Sequence, residues 1–136
     1  MNAAAEVESQ GSVARRVLVV DDDELILEVA QMSLEMVGGW TVITAADGQL
    51  ALDCARTELP DAIVMDVMMP NMDGPTAAVA LRADPVTAGI PIVLLTASVL
   101  AAERAVLAAL PVAGVLRKPF DPMLLPAELS AILGWA

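Results

Sequence analysis

Three consecutive aspartates, Asp21-Asp22-Asp23, follow one apolar run, and Asp66 closes another. Thr96 ends a third such run, and Lys118, the only lysine in the chain, follows a fourth. Carboxylates gathered in one place repel one another and raise one another's pKa values. A bound divalent cation relieves this, and a few hard oxygen ligands that leave room for water suit Mg²⁺. The metal gives an incoming phosphoryl group something to coordinate, and phosphoryl transfer needs mainly positioning and charge neutralisation. A carboxylate can then act as the nucleophile and become an aspartyl phosphate. A threonine hydroxyl and a lysine ammonium supply the remaining donors to the phosphoryl oxygens.

Composition removes several other chemistries. The 136 residues contain no histidine, which excludes Ser-His-Asp and Cys-His catalysis and His-ligated zinc. The single cysteine, Cys54, cannot form an internal disulfide. Eighteen acidic residues against seven basic ones give a net charge of −11. That argues against nucleic-acid binding, which relies on Lys and Arg. Aromatics are 2% and hydrophobic residues 57% of the chain, so the core must be aliphatic. No apolar run reaches the roughly 18–20 residues that span a bilayer. Residues 1–14 lack a compact apolar core and read as a short disordered lead-in rather than a signal peptide. A cytoplasmic protein without a membrane partner is the expectation.

The elements that must position these groups alternate in type. Arg16 to Val20 is a β-branched apolar run, continuous enough to be a strand buried on both faces. Asp23 to Val37 has helical spacing through Ile26, Val29, Ala30, Ser33 and Val37, and Gly38-Gly39 ends it. Strands are predicted at 40–44, 61–66, 90–95 and 112–116. Helices are predicted from Asp47 to Leu59 with Leu50, Cys54 and Ala55 inward, from Pro75 to Ala83, from Val99 to Ala109, and from Asp121 to Leu133. Pro122 is placed in the first turn of the last helix. Five strand-then-helix repeats mean an α/β fold with a doubly wound parallel sheet. Functional groups then sit beyond the carboxyl ends of the strands. In the flavodoxin-like order 2-1-3-4-5, Asp21, Asp22 and Asp66 converge, with Thr96 and Lys118 nearby.

Val19-Val20-Asp21-Asp22, Asp61 to Pro70, Asp73-Gly74, Leu95-Thr96-Ala97 and Lys118-Pro119-Phe120 resemble the receiver domain of two-component response regulators. The resemblance covers roughly residues 15 to 134 and suits the stand-alone type, similar to chemotaxis regulators. The receiver domain is assigned residues 15–136. The resemblance implies that Asp66 is the phosphoacceptor. It further implies that Asp22 binds Mg²⁺ directly, Asp21 through water, and Met68 through its backbone carbonyl, with Asp66 completing the metal set. Thr96 is then the switch hydroxyl, and Lys118 pairs with the phosphoryl oxygens across a cis bond to Pro119. The phosphate donor would be a histidine kinase or a histidine phosphotransfer protein. Output would pass by contact to an unknown downstream protein, from a monomer or weak dimer. Such a domain is not an enzyme beyond promoting its own phosphorylation and dephosphorylation.

Plainer readings stand beside these. Asp21 to Asp23 can cap the first helix, and Asp23 is expected to do so. Met65 belongs to the core, while Met68, Met69 and Met72 read as loop and packing residues rather than a soft-metal site. Cys54 reads as a buried, inert thiol. A nucleotide-binding enzyme of the same fold would need a Gly-rich phosphate loop, which is absent. One departure from the family pattern matters. Val115 stands three residues before the lysine, where receivers carry a Tyr or Phe that swings inward with the threonine. A constitutive interaction module or phosphate sink, without a conformational switch, is therefore the alternative.

Overall fold

The computed structural model describes residues 15–135, so the expected lead-in and Ala136 lie outside the described residues. Strands β1 (Arg16–Val20), β2 (Thr41–Ala45), β3 (Ala62–Asp66), β4 (Ile92–Thr96) and β5 (Gly114–Arg117) form one sheet in the order β2-β1-β3-β4-β5. Every pairing is parallel. Helices α1 (Glu24–Met32), α2 (Gly48–Glu58), α3 (Gly74–Ala83), α4 (Ala101–Ala108) and α5 (Leu125–Leu133) alternate with the strands. The flavodoxin-like α/β architecture expected from the sequence is the one observed.

Alternate strand residues divide the core into two layers. Leu18, Val20, Ile63, Met65, Ile92 and Leu94 pack with Ala51 and Ala55 of α2 and Ala77, Ala78 and Leu81 of α3. Val17, Val19, Val64, Val93 and Leu95 pack with Ala30 of α1, with Leu34 just beyond it, and with Leu125 and Leu129 of α5. The central strands are continuous apolar runs because both their faces are covered. Full burial of each such Leu, Ile or Val side chain contributes about 1.5–3 kcal/mol. No helix among the described residues is long and apolar enough to cross a membrane.

Three local differences from the sequence reading have physical causes. After Met32 the helix continues as a π-helical segment, Ser33–Val37, closed by the Gly38 N–H donating to the Ser33 carbonyl at 3.2 Å. The wider turn rotates the inner stripe, so Leu34 is buried while Val37 is exposed. In α2, Ala51 and Ala55 form the inner face and Leu50 is half exposed, because the seam with α3 is alanine on both sides. Helix α5 starts at Leu125 rather than Asp121, and Pro126, not Pro122, occupies its first turn. The Asp121 carboxylate accepts from the Met123 N–H at 2.9 Å, a local turn that competes with helix.

Candidate functional site

Four strand ends deliver the site, and each is pinned by backbone bonds. At the end of β1 the Asp21 N–H donates to the Ala45 carbonyl at 3.2 Å. Asp23 caps α1 by accepting from the Leu25 N–H at 2.9 Å, leaving Asp21 and Asp22 in the turn between. Asp66 is the last residue of β3, and Gly74 opens α3 directly behind it. A Cβ on Gly74 would lie 2.4 Å from the Asp66 carbonyl oxygen and 3.0 Å from the Val67 Cα, so only glycine fits there. Thr96 ends β4, and the Lys118 N–H donates to its carbonyl at 2.8 Å, which ties the exit of β5 to that of β4.

These ends bring three carboxylates together. One oxygen from each of Asp21, Asp22 and Asp66 lies within 4.8 Å of the others. Asp21 and Asp66 are buried, while Asp22 is exposed. Lys118 Nζ donates to Asp21 Oδ2 at 3.0 Å and to Asp66 Oδ1 at 3.3 Å. The second Asp21 oxygen accepts from the Asp23 N–H at 2.9 Å. Asp21 is thus occupied on both oxygens, and Asp22 faces solvent. Among the described residues, no backbone N–H donates to the Met68 carbonyl.

The electrostatics follow from this packing. Burial pushes the Asp66 carboxyl above its ordinary pKa, and the Asp21 charge pushes the same way. The Lys118 charge and hydrogen bond oppose both without cancelling them. Burial alone would lower the Lys118 pKa, but the hydrogen bond to Asp21 and the charges of Asp66 and Asp21 outweigh it. The ammonium is held above its ordinary value. One ammonium shared by two of three carboxylates leaves the cluster with net negative charge. The donors are hard oxygens and one member is open to water, which fits a small divalent cation that retains part of its hydration.

Thr96 stands at the same edge and is buried, but its hydroxyl faces its own loop. Its Oγ1 accepts from the Ser98 N–H at 3.0 Å. Beside it lies a mostly apolar hollow of about 580 Å³, lined by Val67, Met68, Thr96, Ser98, Glu103 and Leu107 among others. The bond between Ser98 and Glu103 was not anticipated from the sequence. A serine three residues before a helix, with a glutamate in the first turn, is the signal that could have found it. Val115 is half buried, packed against the core layer under α2 and α3. Met65 is core, as expected; Met69, read as a loop or packing residue, is buried in the same layer, and the Met68 side chain is exposed. Cys54 lies away from the site on α2, its thiol pushed up by burial and then by the Glu58 charge.

The comparisons with known proteins agree with this geometry. Residues 17–130 match the family model described as the response regulator receiver domain. The chain is 40% identical over 119 residues to the alkaline phosphatase synthesis transcriptional regulatory protein PhoP of Bacillus subtilis, covering 88% of this chain and 48% of that protein. It is 38% identical over 120 residues to the response regulator PleD of Caulobacter vibrioides, covering 88% of this chain and 26% of that protein. The chain spans about half the length, or less, of these curated relatives. Among solved structures, the chemotaxis response regulator CheY4 of Vibrio cholerae superposes with a TM-score of 0.82 at 33% identity, over 88% of this chain and 99% of that one. A response regulator of Chloroflexus aurantiacus gives 0.81 at 33% identity, over 89% and 98%. With the fold, the acidic cluster and the family model in agreement, the chain belongs to the receiver domains of two-component response regulators.

Proposed function

We propose that Asp66 is the phosphoacceptor of this receiver, taking a phosphoryl group from a histidine kinase or histidine phosphotransfer protein in a Mg²⁺-dependent reaction. The supporting observation is the convergence of Asp21, Asp22 and Asp66 within 4.8 Å, with the only lysine bonded to two of them. The 136 residues contain no histidine, so a phosphohistidine donor lies outside them. In the transfer, an Asp66 carboxylate oxygen attacks phosphorus, the phosphorus–nitrogen bond of the donor breaks, and a mixed anhydride forms.

Asp22 is suited to direct ligation because it is exposed, Asp21 to an indirect part because Lys118 and the Asp23 N–H hold its oxygens. Asp66 and the Met68 carbonyl would complete the set. When bound, Mg²⁺ neutralises charge on the carboxylates and on the transferring phosphoryl group. Lys118 keeps its proton and turns its ammonium from the Asp66 carboxylate to the phosphoryl oxygens. Thr96 rotates its hydroxyl toward the same oxygens. The domain promotes its own phosphorylation and dephosphorylation, and its output passes by contact to a downstream protein.

Acetyl phosphate with Mg²⁺ should add one phosphoryl mass to the intact protein, and Asp66→Asn should abolish the adduct. Absence of any adduct on the native chain, with no response to beryllofluoride, refutes the assignment. A second reading, a constitutive module or phosphate sink, is favoured by Val115, which is stiff at χ1 and has no ring to carry inward. Amide shifts induced by beryllofluoride separate the two. Changes confined to the strand ends support the sink, and changes extending along α4 support the switch.

A further inference from the structure

Helix α4 is held differently from its neighbours. It buries no residue completely, and its N-cap, Leu100, has no side chain able to bond the first turn. Ser98 takes over that task from outside the helix. Its Oγ accepts from the Leu100 N–H at 3.2 Å and donates to Glu103 Oε1 at 2.5 Å. The backbone N–H of the same serine donates to Thr96 Oγ1 at 3.0 Å. One residue therefore joins the Thr96 hydroxyl to the first turn of α4 through three bonds.

Val67, Met68 and Leu107 line the hollow under this corner together with Thr96, Ser98 and Glu103. The hollow gives the loop and the first turn of α4 room to move inward. A rotation about χ1 that carries the Thr96 hydroxyl to a group on Asp66 withdraws the acceptor from the Ser98 N–H. The loop then loses the bond that fixes its register against the strand end. Glu103 resists this, because its carboxylate holds the Ser98 hydroxyl in the orientation that places the Ser98 N–H over Thr96.

We propose that Glu103 is a positioning residue which, acting through Ser98, holds Thr96 in the unphosphorylated orientation. The inference rests on the phosphoacceptor reading of Asp66 and deepens it, giving α4 a link to the site that needs no aromatic at position 115. Removing the clasp lowers the cost of reaching the bound conformation, so a ligand of that conformation binds more tightly.

The test is beryllofluoride binding with Mg²⁺ to the wild type, Glu103→Ala, Glu103→Gln and Ser98→Ala, alongside hydrogen exchange of the Ser98 and Leu100 amides. Glu103→Ala and Ser98→Ala should each bind about fivefold more tightly, the equivalent of one solvent-accessible hydrogen bond of about 1 kcal/mol. Glu103→Gln, which keeps an acceptor, should fall between them and the wild type. The Ser98 amide should exchange faster in Glu103→Ala without ligand, with a melting temperature lower by about 3–6 °C. If the wild type binds and both alanine variants match it, the clasp does not restrain Thr96 and the inference fails alone. If the wild type itself does not bind, the phosphoacceptor reading and the inference fall together.

Discussion

Burial and the Asp21 charge hold the Asp66 carboxyl above its ordinary pKa despite Lys118. A carboxyl raised in this way binds its proton more tightly in the folded state than in the unfolded one. The fold therefore loses stability as pH rises through the raised value, and regains it as pH falls toward the unfolded value of about 3.9. In chelating buffer, Asp66→Asn should be more stable than the wild type at neutral pH, and the difference should close as pH falls. Urea titrations of both proteins across that range measure it, and a wild type that is the more stable at neutral pH contradicts the assigned electrostatics. Lys118 works in the opposite sense at high pH. Its raised pKa means that the stability it contributes is present below its unfolded value and is lost as pH rises through the folded one.

At the level of elements, the site depends on how helices begin. Asp73 caps α3 by accepting from the Thr76 N–H at 2.8 Å, and hydrogen bonding from the Thr76 side chain, followed by this backbone bond, holds its carboxyl below the ordinary range. Asp73→Ala should cost about 1 kcal/mol at neutral pH by thermal or urea melting. The cost should shrink in acid, because a depressed carboxyl contributes stability above its unfolded pKa and loses it as pH falls through the folded one. Gly74, the next residue, decides how closely α3 approaches Asp66. With backbone 2.4 Å from where a Cβ would stand, Gly74→Ala must displace either the helix or the strand end. A loss of about 1–3 kcal/mol is expected, together with weaker Mg²⁺ binding than in Asp73→Ala. Equal Mg²⁺ affinity in the two variants would show that the close approach does not set the carboxylate geometry.

For the whole molecule, two features far from the site and one within it govern stability. Trp40 and Trp135 meet edge to face with centroids 5.1 Å apart, and the Arg15 guanidinium lies 4.5 Å from the Trp135 ring centre. These contacts join the starts of β2 and β1 to the end of α5 on the core layer formed with α1 and α5. Trp135→Ala should lower stability by about 1–2 kcal/mol while leaving beryllofluoride binding unchanged, which equilibrium unfolding and titration together would check. The carboxylate cluster acts in the other direction. Mg²⁺ at about a hundred times its dissociation constant should stabilise the fold by about 2.7 kcal/mol, and Asp22→Asn should remove most of that gain. A melting temperature indifferent to Mg²⁺ would contradict the metal assignment.

The strand-then-helix alternation, the doubly wound class and the gathering of Asp21, Asp22, Asp66, Thr96 and Lys118 at one edge are all determined by local pattern. Parallel strands share a carboxyl edge, so residues that end apolar runs must lie there whatever the details of packing. The inner stripe of α1 beyond Met32, the alanine seam of α2 and the start of α5 were not legible. Each depends on what a partner element or a competing turn offers, which periodicity along one segment does not contain. The chain also names its charges without saying which of them meet. Only the tertiary structure makes Asp21 the buried partner of Lys118, leaves Asp22 to solvent, and turns Thr96 toward Ser98. Those outcomes rest on distances of a few ångströms between strand ends that lie as much as 97 residues apart in sequence, and only the packed sheet sets them.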